Sequence, residues 1–124
     1  MRWFSASVII AIVPNSYDGG PLEIYENVYL VCADDEKSAV DAAAHLGTDE
    51  ENAGGDLTSG NTPARLRFLG VRKVISVSNP VPYPQDQHPP VTGTELSYSL
   101  FRVQSMDAAK SFSGGASADL TALE

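Results

Sequence analysis

The first 33 residues alternate between apolar and polar positions in a way that predicts two strands. One face of the first strand carries only apolar side chains: Phe4, Ala6, Val8, Ile10 and Ile12. Pro14 ends this strand, and residues 15–21, NSYDGGP, have the composition of a turn. The second strand, LEIYENVYLVCA, is apolar on both faces in its last half, which is typical of a central strand covered on both sides. Two strands joined by such a loop predict a hairpin.

A helix is predicted next. Asp34 or Asp35 is suited to cap its N-terminus, since a carboxylate there accepts hydrogen bonds from the free N–H groups of the first turn. The body, EKSAVDAAAHL, is rich in good helix formers, and Gly47 suits the left-handed residue that often ends a helix. Helical periodicity predicts one apolar stripe facing the sheet. It consists of Ala39, Val40, Ala43 and Leu46.

The second half of the chain predicts two more strands separated by loops. Residues 48–62, TDEENAGGDLTSGNT, contain almost no apolar anchor and predict an exposed, mobile loop. In ARLRFLGVRKVISVS the basic residues change face across Leu69 and Gly70, which predicts a bulge there. Five prolines exclude residues 79–93 from a central strand. The last strand is TELSYSLFRVQ.

The element order β-β-α-β-β predicts an α+β domain, in which a four-stranded, mostly antiparallel sheet has one helix packed on one face. Residues 1–106 form this single domain, and residues 107–124 form a short helical turn and a weakly ordered tail. Cys32 is the only cysteine, so it has no partner for an internal disulfide, which favours a reducing compartment. The apolar N-terminal run is too short to span a membrane, and we therefore expect a cytoplasmic protein without membrane contact.

The charge is unevenly distributed. Residues 1–60 hold eleven acidic and two basic residues, residues 61–124 hold five acidic and six basic ones, and the formal net charge is −8. This balance argues against nucleic-acid binding, which requires basic residues to neutralise phosphates. It is compatible with a basic protein partner, because complementary charge accelerates encounter. The alternative is that the acidity only keeps a small protein in solution.

Candidate chemistry is sparse. Cys32, Asp34, Asp35 and His45 are chemically suited to a metal, but their spacing matches no metal-binding motif. We therefore expect no metal, no cofactor and no catalytic residue, and no enzymatic activity. Four arginines could form a small anion site, but basic residues on strands more often pair with acids across the sheet, and we expect such ion pairs here. They are Arg65, Arg67, Arg72 and Arg102.

Four segments together resemble a known family. They are RWFSASVII, ENVYLVCADDEKSAVDAAAHLG, RLRFLGVRKVISV and GTELSYSLFRV. In this order and spacing they resemble the bacterial family called domain of unknown function 4288, over residues 2–105. The chain departs from the family pattern by a leucine where an aromatic residue is common before Arg67, and by a longer proline loop and tail.

Proteins that resemble this family often occur as single-domain, stand-alone chains in bacteria, and bacterial immunity proteins share this setting. The resemblance implies a function only through that shared setting. We therefore expect an immunity protein of contact-dependent growth inhibition that binds a cognate, basic nuclease toxin and occludes its active site. Acidic side chains of the helix start and of the 48–56 loop would mimic phosphates. The predicted partner-binding residues are Asp34, Asp35, Glu36, Asp49, Glu50, Glu51 and Asp56, with Tyr83 and His88 of the proline loop. A module that binds a small molecule or an anionic metabolite, and a housekeeping protein-interaction domain, remain alternatives.

Overall fold

The computed structural model describes residues 2–55, 57–77 and 91–124. Within these residues six strands form one antiparallel sheet with the order β3-β4-β1-β2-β5-β6. The elements are β1 (Arg2–Pro14), β2 (Leu22–Ala33), α1 (Glu36–Ala53), β3 (Leu57–Ser59), β4 (Thr62–Val77), β5 (Thr94–Val103), α2 (Met106–Ser113) and β6 (Leu120–Ala122). The predicted α+β class and the antiparallel sheet are confirmed. The expected number of elements is too small by two strands and one helix.

β1 is the centre of the sheet, and its two faces contribute to two separate cores. It forms the predicted hairpin with β2 and pairs with β4 on its other side. Phe4 and Val8 pack with α1 residues, whereas Ile9 and Ala11 pack with α2 residues. Because neighbouring residues of a strand point to opposite faces, α1 and α2 lie on opposite faces of the sheet.

α1 begins as predicted but is longer than the sequence indicates. The Asp35 side chain caps it by accepting a hydrogen bond of 2.7 Å from the Ser38 amide. The helix then continues to Ala53, so the predicted mobile loop is wrong for residues 48–53. Gly47 does not end the helix: a Cβ there would lie 2.3 Å from the Phe68 ring, so the missing side chain allows close packing of α1 on β4.

The helix face that meets the sheet also differs in part from the prediction. The buried residues of α1 are Ala39, Ala43 and Gly47, spaced one turn apart. Val40 was predicted in this stripe, but 37% of its surface is exposed. Small residues at the contact therefore bring α1 close to the sheet, and most of the apolar volume of this core comes from the strands.

β4 contains the predicted bulge and a second one. The pairing with β1 shifts by one residue at Leu69, as expected, and again at Arg72. Each bulge leaves one β4 residue without a direct partner on β1. Between the two bulges, Gly70 lies against Ser113 of α2.

The C-terminal segment, predicted as a short helical turn followed by a tail, contains α2 and β6. Ser105 caps α2 through a hydrogen bond from the Ala108 amide, and Phe112 is buried against Phe101. The Arg72 guanidinium donates to the carbonyl oxygens of Phe112 and Ala116. After α2, β6 pairs with β5 and extends the sheet. α2 extends beyond the single turn that the sequence predicts, because a short helix depends on tertiary packing for most of its stability.

Candidate functional site

A cavity with several polar side chains in its lining lies on the α1 face of the sheet. α1 packs over β4, β1 and β2, and a cavity of about 440 Å³ lies between its C-terminal half and β5. The cavity is lined by Ile10, Tyr25, Asn27, Glu50, Ala53, Gly54, Leu66, Glu95 and Tyr98. Its volume falls within the range of pockets that hold small ligands.

Strand alternation and register bring its polar residues together. Tyr25, Asn27 and Tyr29 share one face of β2, because they are two residues apart. The antiparallel register places Tyr98 of β5 directly opposite Asn27. A register shift after Val28 then places Glu95 opposite Tyr29. The shift in β5 thus brings a carboxylate to the mouth of the cavity.

Two tyrosine rings form one wall. Their centroids are 6.0 Å apart, and the planes of Tyr25 and Tyr98 meet at 67°, an edge-to-face arrangement. Tyr25 is half-buried, whereas 52% of the Tyr98 surface is exposed. The Tyr98 hydroxyl donates a hydrogen bond of 3.0 Å to Glu124, which raises the pKa of Tyr98. The rings therefore present aromatic surface beside the carboxylates.

Glu50 is held by a buried polar network. The Asn27 side-chain amide donates to both of its carboxylate oxygens, at 2.9 and 3.2 Å, and the Tyr29 hydroxyl donates a short hydrogen bond to Oε1. Burial, followed by the hydrogen bond to Glu50, raises the pKa of Tyr29 well above its ordinary value of 10.0. Tyr29 therefore stays protonated and donates at neutral pH, which fixes the Glu50 side chain toward the cavity.

The three adjacent acids that were predicted to contact a partner have three different environments. Glu50 lies in the cavity wall. Glu51 accepts a hydrogen bond of 2.8 Å from the Phe68 backbone amide, beside the first β4 bulge, and so fastens α1 to β4. Asp49 is exposed to solvent. The acidic composition of this segment predicts a loop, whereas the strand partners of Glu50 and Glu51 are 17–23 residues away in sequence.

The acids at the start of α1 lie apart from this group. Asp34, Asp35 and Glu36 are exposed, and the hydrogen bond from the Ser38 backbone lowers the pKa of Asp35. Thirteen residues of continuous helix separate Glu36 from Asp49, which is roughly 20 Å along the axis. The predicted contact acids of the described residues therefore lie near opposite ends of α1. Asp56, Tyr83 and His88 lie outside the described residues.

The four arginines do not converge on a common site. Arg72 binds the C-terminal end of α2, and Arg102 lies 3.9 Å from Glu23. Arg65 and Arg67 are exposed on β4. In the described part of the chain, no group of three or more histidine, cysteine, aspartate or glutamate residues is arranged to hold a metal ion. No helix among the same residues has the length and apolar character needed to cross a membrane.

Sequence reasoning missed most of the cavity. Tyr25, Asn27, Glu95 and Tyr98 were not among the predicted site residues. One signal was available: Asn27 interrupts the face of β2 that also carries Tyr25 and Tyr29, and an amide in a strand interior needs a hydrogen-bond partner. That signal indicates a polar network but does not identify Glu50 as its partner.

Comparison with known proteins identifies a family. Residues 3–84 match the model described as domain of unknown function 4288. The chain belongs to this family. The match covers about two thirds of the 124 residues and ends before β5, so Glu95 and Tyr98 lie outside it. No curated protein and no solved structure matches the chain.

Proposed function

We propose that this member of the family is a non-catalytic binding protein, and that a basic protein contacts it at the cavity between α1, β2 and β5. The observation that carries this proposal is the charge of the cavity. Among the described residues that line it, the charged ones are Glu50 and Glu95, and both are acidic. A concave site with charges of one sign concentrates the electrostatic field and attracts groups of the opposite sign.

The surrounding charge supports the same partner. Asp49 adds an exposed carboxylate next to Glu50, and the chain as a whole carries a net charge of −8. Complementary charges of this kind accelerate association and exclude acidic partners, including nucleic acids. The contact that we propose is therefore centred on the C-terminal half of α1 rather than on its start.

The specific form that we propose is inhibition of a bacterial nuclease toxin, as carried out by immunity proteins in the cytoplasm. A nuclease has a cationic cleft for phosphates, and carboxylates that enter this cleft would prevent substrate from binding. Such an inhibitor needs a rigid acidic surface and no reaction of its own. The network around Glu50 supplies that rigidity, because its donors come from a strand at the centre of the sheet.

The test starts from the neighbouring genes: any toxin-like protein that they encode is co-expressed with this chain. We expect the wild-type chain to restore growth and to bind the purified toxin. The pair Asp49→Lys and Glu95→Lys should slow association by about tenfold at low salt, with a smaller effect at high salt. The matched control is the pair Asp18→Lys and Asp119→Lys, which changes the same charge at exposed acids outside the cavity lining. Equal association rates for both pairs would contradict the proposed contact.

The shape of the cavity favours a second candidate, a small cationic molecule as the physiological ligand. Flat surfaces suffice for many protein contacts, whereas a concavity of about 440 Å³ with a few convergent polar groups is typical of small-molecule sites. A ligand that raises the unfolding temperature at low concentration, together with no binding to any basic protein, would favour this candidate.

A further inference from the structure

We propose that the cavity is a cage for an alkylammonium group, either the end of a lysine side chain or a free amine of the same chemistry. This inference rests on the proposed function, because it identifies the cationic group that the acidic cavity receives. It assigns Tyr25 and Tyr98 to the aromatic wall of the cage and Glu50 and Glu95 to its negative charge. Three features of the cavity carry the assignment.

The first feature is the aromatic wall. The faces of aromatic rings attract cations within about 6 Å of the centroid, and ammonium ions with several carbon substituents are bound in this way by groups of rings. The edge-to-face arrangement of Tyr25 and Tyr98 turns two ring planes, at 67° to each other, around one corner. Such a corner contacts a cation on two sides, which a single exposed ring cannot do.

The second feature is the hydrogen bonding of Glu50. Oε1 already accepts from Tyr29 and Asn27, and Oε2 accepts from Asn27. A carboxylate offers about four acceptor positions, so Oε2 has room for one more donor while Oε1 is filled. A guanidinium fork binds a carboxylate best through both oxygens, whereas an ammonium group needs only one. Glu50 therefore favours an ammonium over an arginine side chain.

The third feature is the apolar floor. Ile10 of the central strand and Leu66 of β4 line the cavity beneath the polar residues, and Ala53 adds a methyl group from α1. The methylene stem of a lysine or of an alkylamine gains stability on such a surface while its charged end stays near carboxylates and water. A compact inorganic cation would leave this floor uncovered.

The test is calorimetric titration of the whole chain with matched pairs of probes. Choline is compared with its neutral isostere 3,3-dimethyl-1-butanol, and N-acetyl-lysine methylamide is compared with the arginine analogue. We expect each ammonium probe to bind at least about tenfold more tightly than its comparator. The isostere of choline lacks the positive charge that the two rings attract, and the guanidinium of the arginine analogue does not match the single open acceptor position of Glu50. Tighter binding of choline indicates a free amine as the ligand, and tighter binding of the lysine probe indicates a protein.

Four variants locate the binding. Glu95→Gln and Tyr98→Ala should each weaken the ammonium probes by about fivefold or more, and both sites are exposed, so the fold should persist. Tyr98→Phe keeps the ring and loses only the hydrogen bond to Glu124, so binding should be unchanged. Glu26→Gln removes the same charge from the opposite face of β2, where Glu26 pairs with Ile9 of the second core, and should also leave binding unchanged.

The cage assignment is overturned if neither ammonium probe binds, or if the neutral isostere binds as well as choline. It is also overturned if Glu26→Gln weakens binding as much as Glu95→Gln. The two proposals can fail separately. A basic protein that binds at the cavity while the ammonium probes neither bind nor compete would remove the cage and leave the proposed function intact. If the ammonium probes bind while no basic protein does, the cage assignment stands and the proposed protein partner is removed.

Discussion

The two faces of the sheet are covered by helices that are attached in different ways. On one face the eight residues of α2 are held by apolar packing around Phe112 and by Arg72, which caps the end of the helix. On the other face the eighteen residues of α1 lie close to the strands at Gly47, and farther along, Glu50 and Glu51 bind the strands through hydrogen bonds. The α2 face has an apolar core around Phe112, whereas the α1 face has a cavity beside β5 with two carboxylates in its lining.

This difference is one reason why we place the proposed site on the α1 face. A buried polar network is less favourable than apolar packing unless each of its groups is satisfied, and it is a poor choice for stability alone. The α2 face shows that this chain can cover a sheet with apolar contacts. The Asn27, Tyr29 and Glu50 network on the other face contributes to stability, and under the proposed function it also holds a carboxylate at the cavity.

The largest effect is expected on the α2 face. Phe112→Ala should lower the free energy of unfolding by about 4 kcal/mol, since it removes a buried ring and leaves a cavity. It also removes the ring over which the Arg72 guanidinium lies at 3.9 Å. Urea unfolding followed by circular dichroism measures the change. The control Phe112→Leu keeps most of the volume and should cost about 1 kcal/mol. A loss below 1 kcal/mol for the alanine variant would show that α2 is not needed to close this face.

A smaller effect is expected where α1 approaches β4. Gly47→Val should destabilise the chain by about 3 kcal/mol, because its side chain would overlap the Phe68 ring and the excess volume has to be accommodated by backbone shifts. The same urea experiment measures it. Gly55→Val is the control, since a Cβ at Gly55 meets no atom within 4 Å. Similar losses for both variants would mean that the close approach of α1 is not decisive.

The polar network should give the smallest of the three effects. Tyr29→Phe removes one donor from Glu50 and should cost about 2 kcal/mol, the range for hydrogen bonds to charged groups. Thermal and urea unfolding at pH 7 measure the loss. Tyr98→Phe is the matched control, because its hydroxyl is bound at an exposed site and the variant should lose less than about 0.5 kcal/mol.

The same variant has a distinct pH dependence. The pKa of Tyr29 is raised in the folded chain, so the unfolded chain releases this proton first as pH rises. The stability contributed by protonated Tyr29 is therefore complete below pH 10.0, its ordinary pKa, and declines as pH rises toward the raised value. We expect the wild-type chain to lose stability relative to Tyr29→Phe above pH 10. A constant difference between the two proteins from pH 8 to pH 11 would contradict the buried hydrogen bond.

Local features of the fold were predictable from the sequence. The cap at Asp35 and the bulge at Leu69 depend on neighbouring residues, and the structure confirms both. The end of α1 was not predictable in the same way, because Gly47 has the residue type of a helix terminus but serves a contact with Phe68, 21 positions later. Local rules cannot separate a glycine that ends a helix from one that allows close packing.

The cavity depends even more on distant contacts. The position of Glu95 is set by a register shift between β2 and β5, and no local pattern around Glu95 indicates it. Likewise, Glu50 looks like a solvated acid in an acidic segment until the fold brings Asn27 and Tyr29 beneath it. Alternation along β2 predicts that Tyr25 and Asn27 share a face, but not what covers that face.

The bulges of β4 have a consequence for self-association. Among the described residues, β3 pairs with only the first three residues of β4, so the rest of the outer edge of β4 has no neighbouring strand. A long, flat edge of this kind is a template for pairing with other chains. Three features interrupt that template. The register breaks at Leu69 and Arg72, and Glu51 occupies a backbone amide of β4. Arg65 and Arg67 add exposed charges. We therefore expect the irregular strand to disfavour edge-to-edge pairing with other copies of the chain.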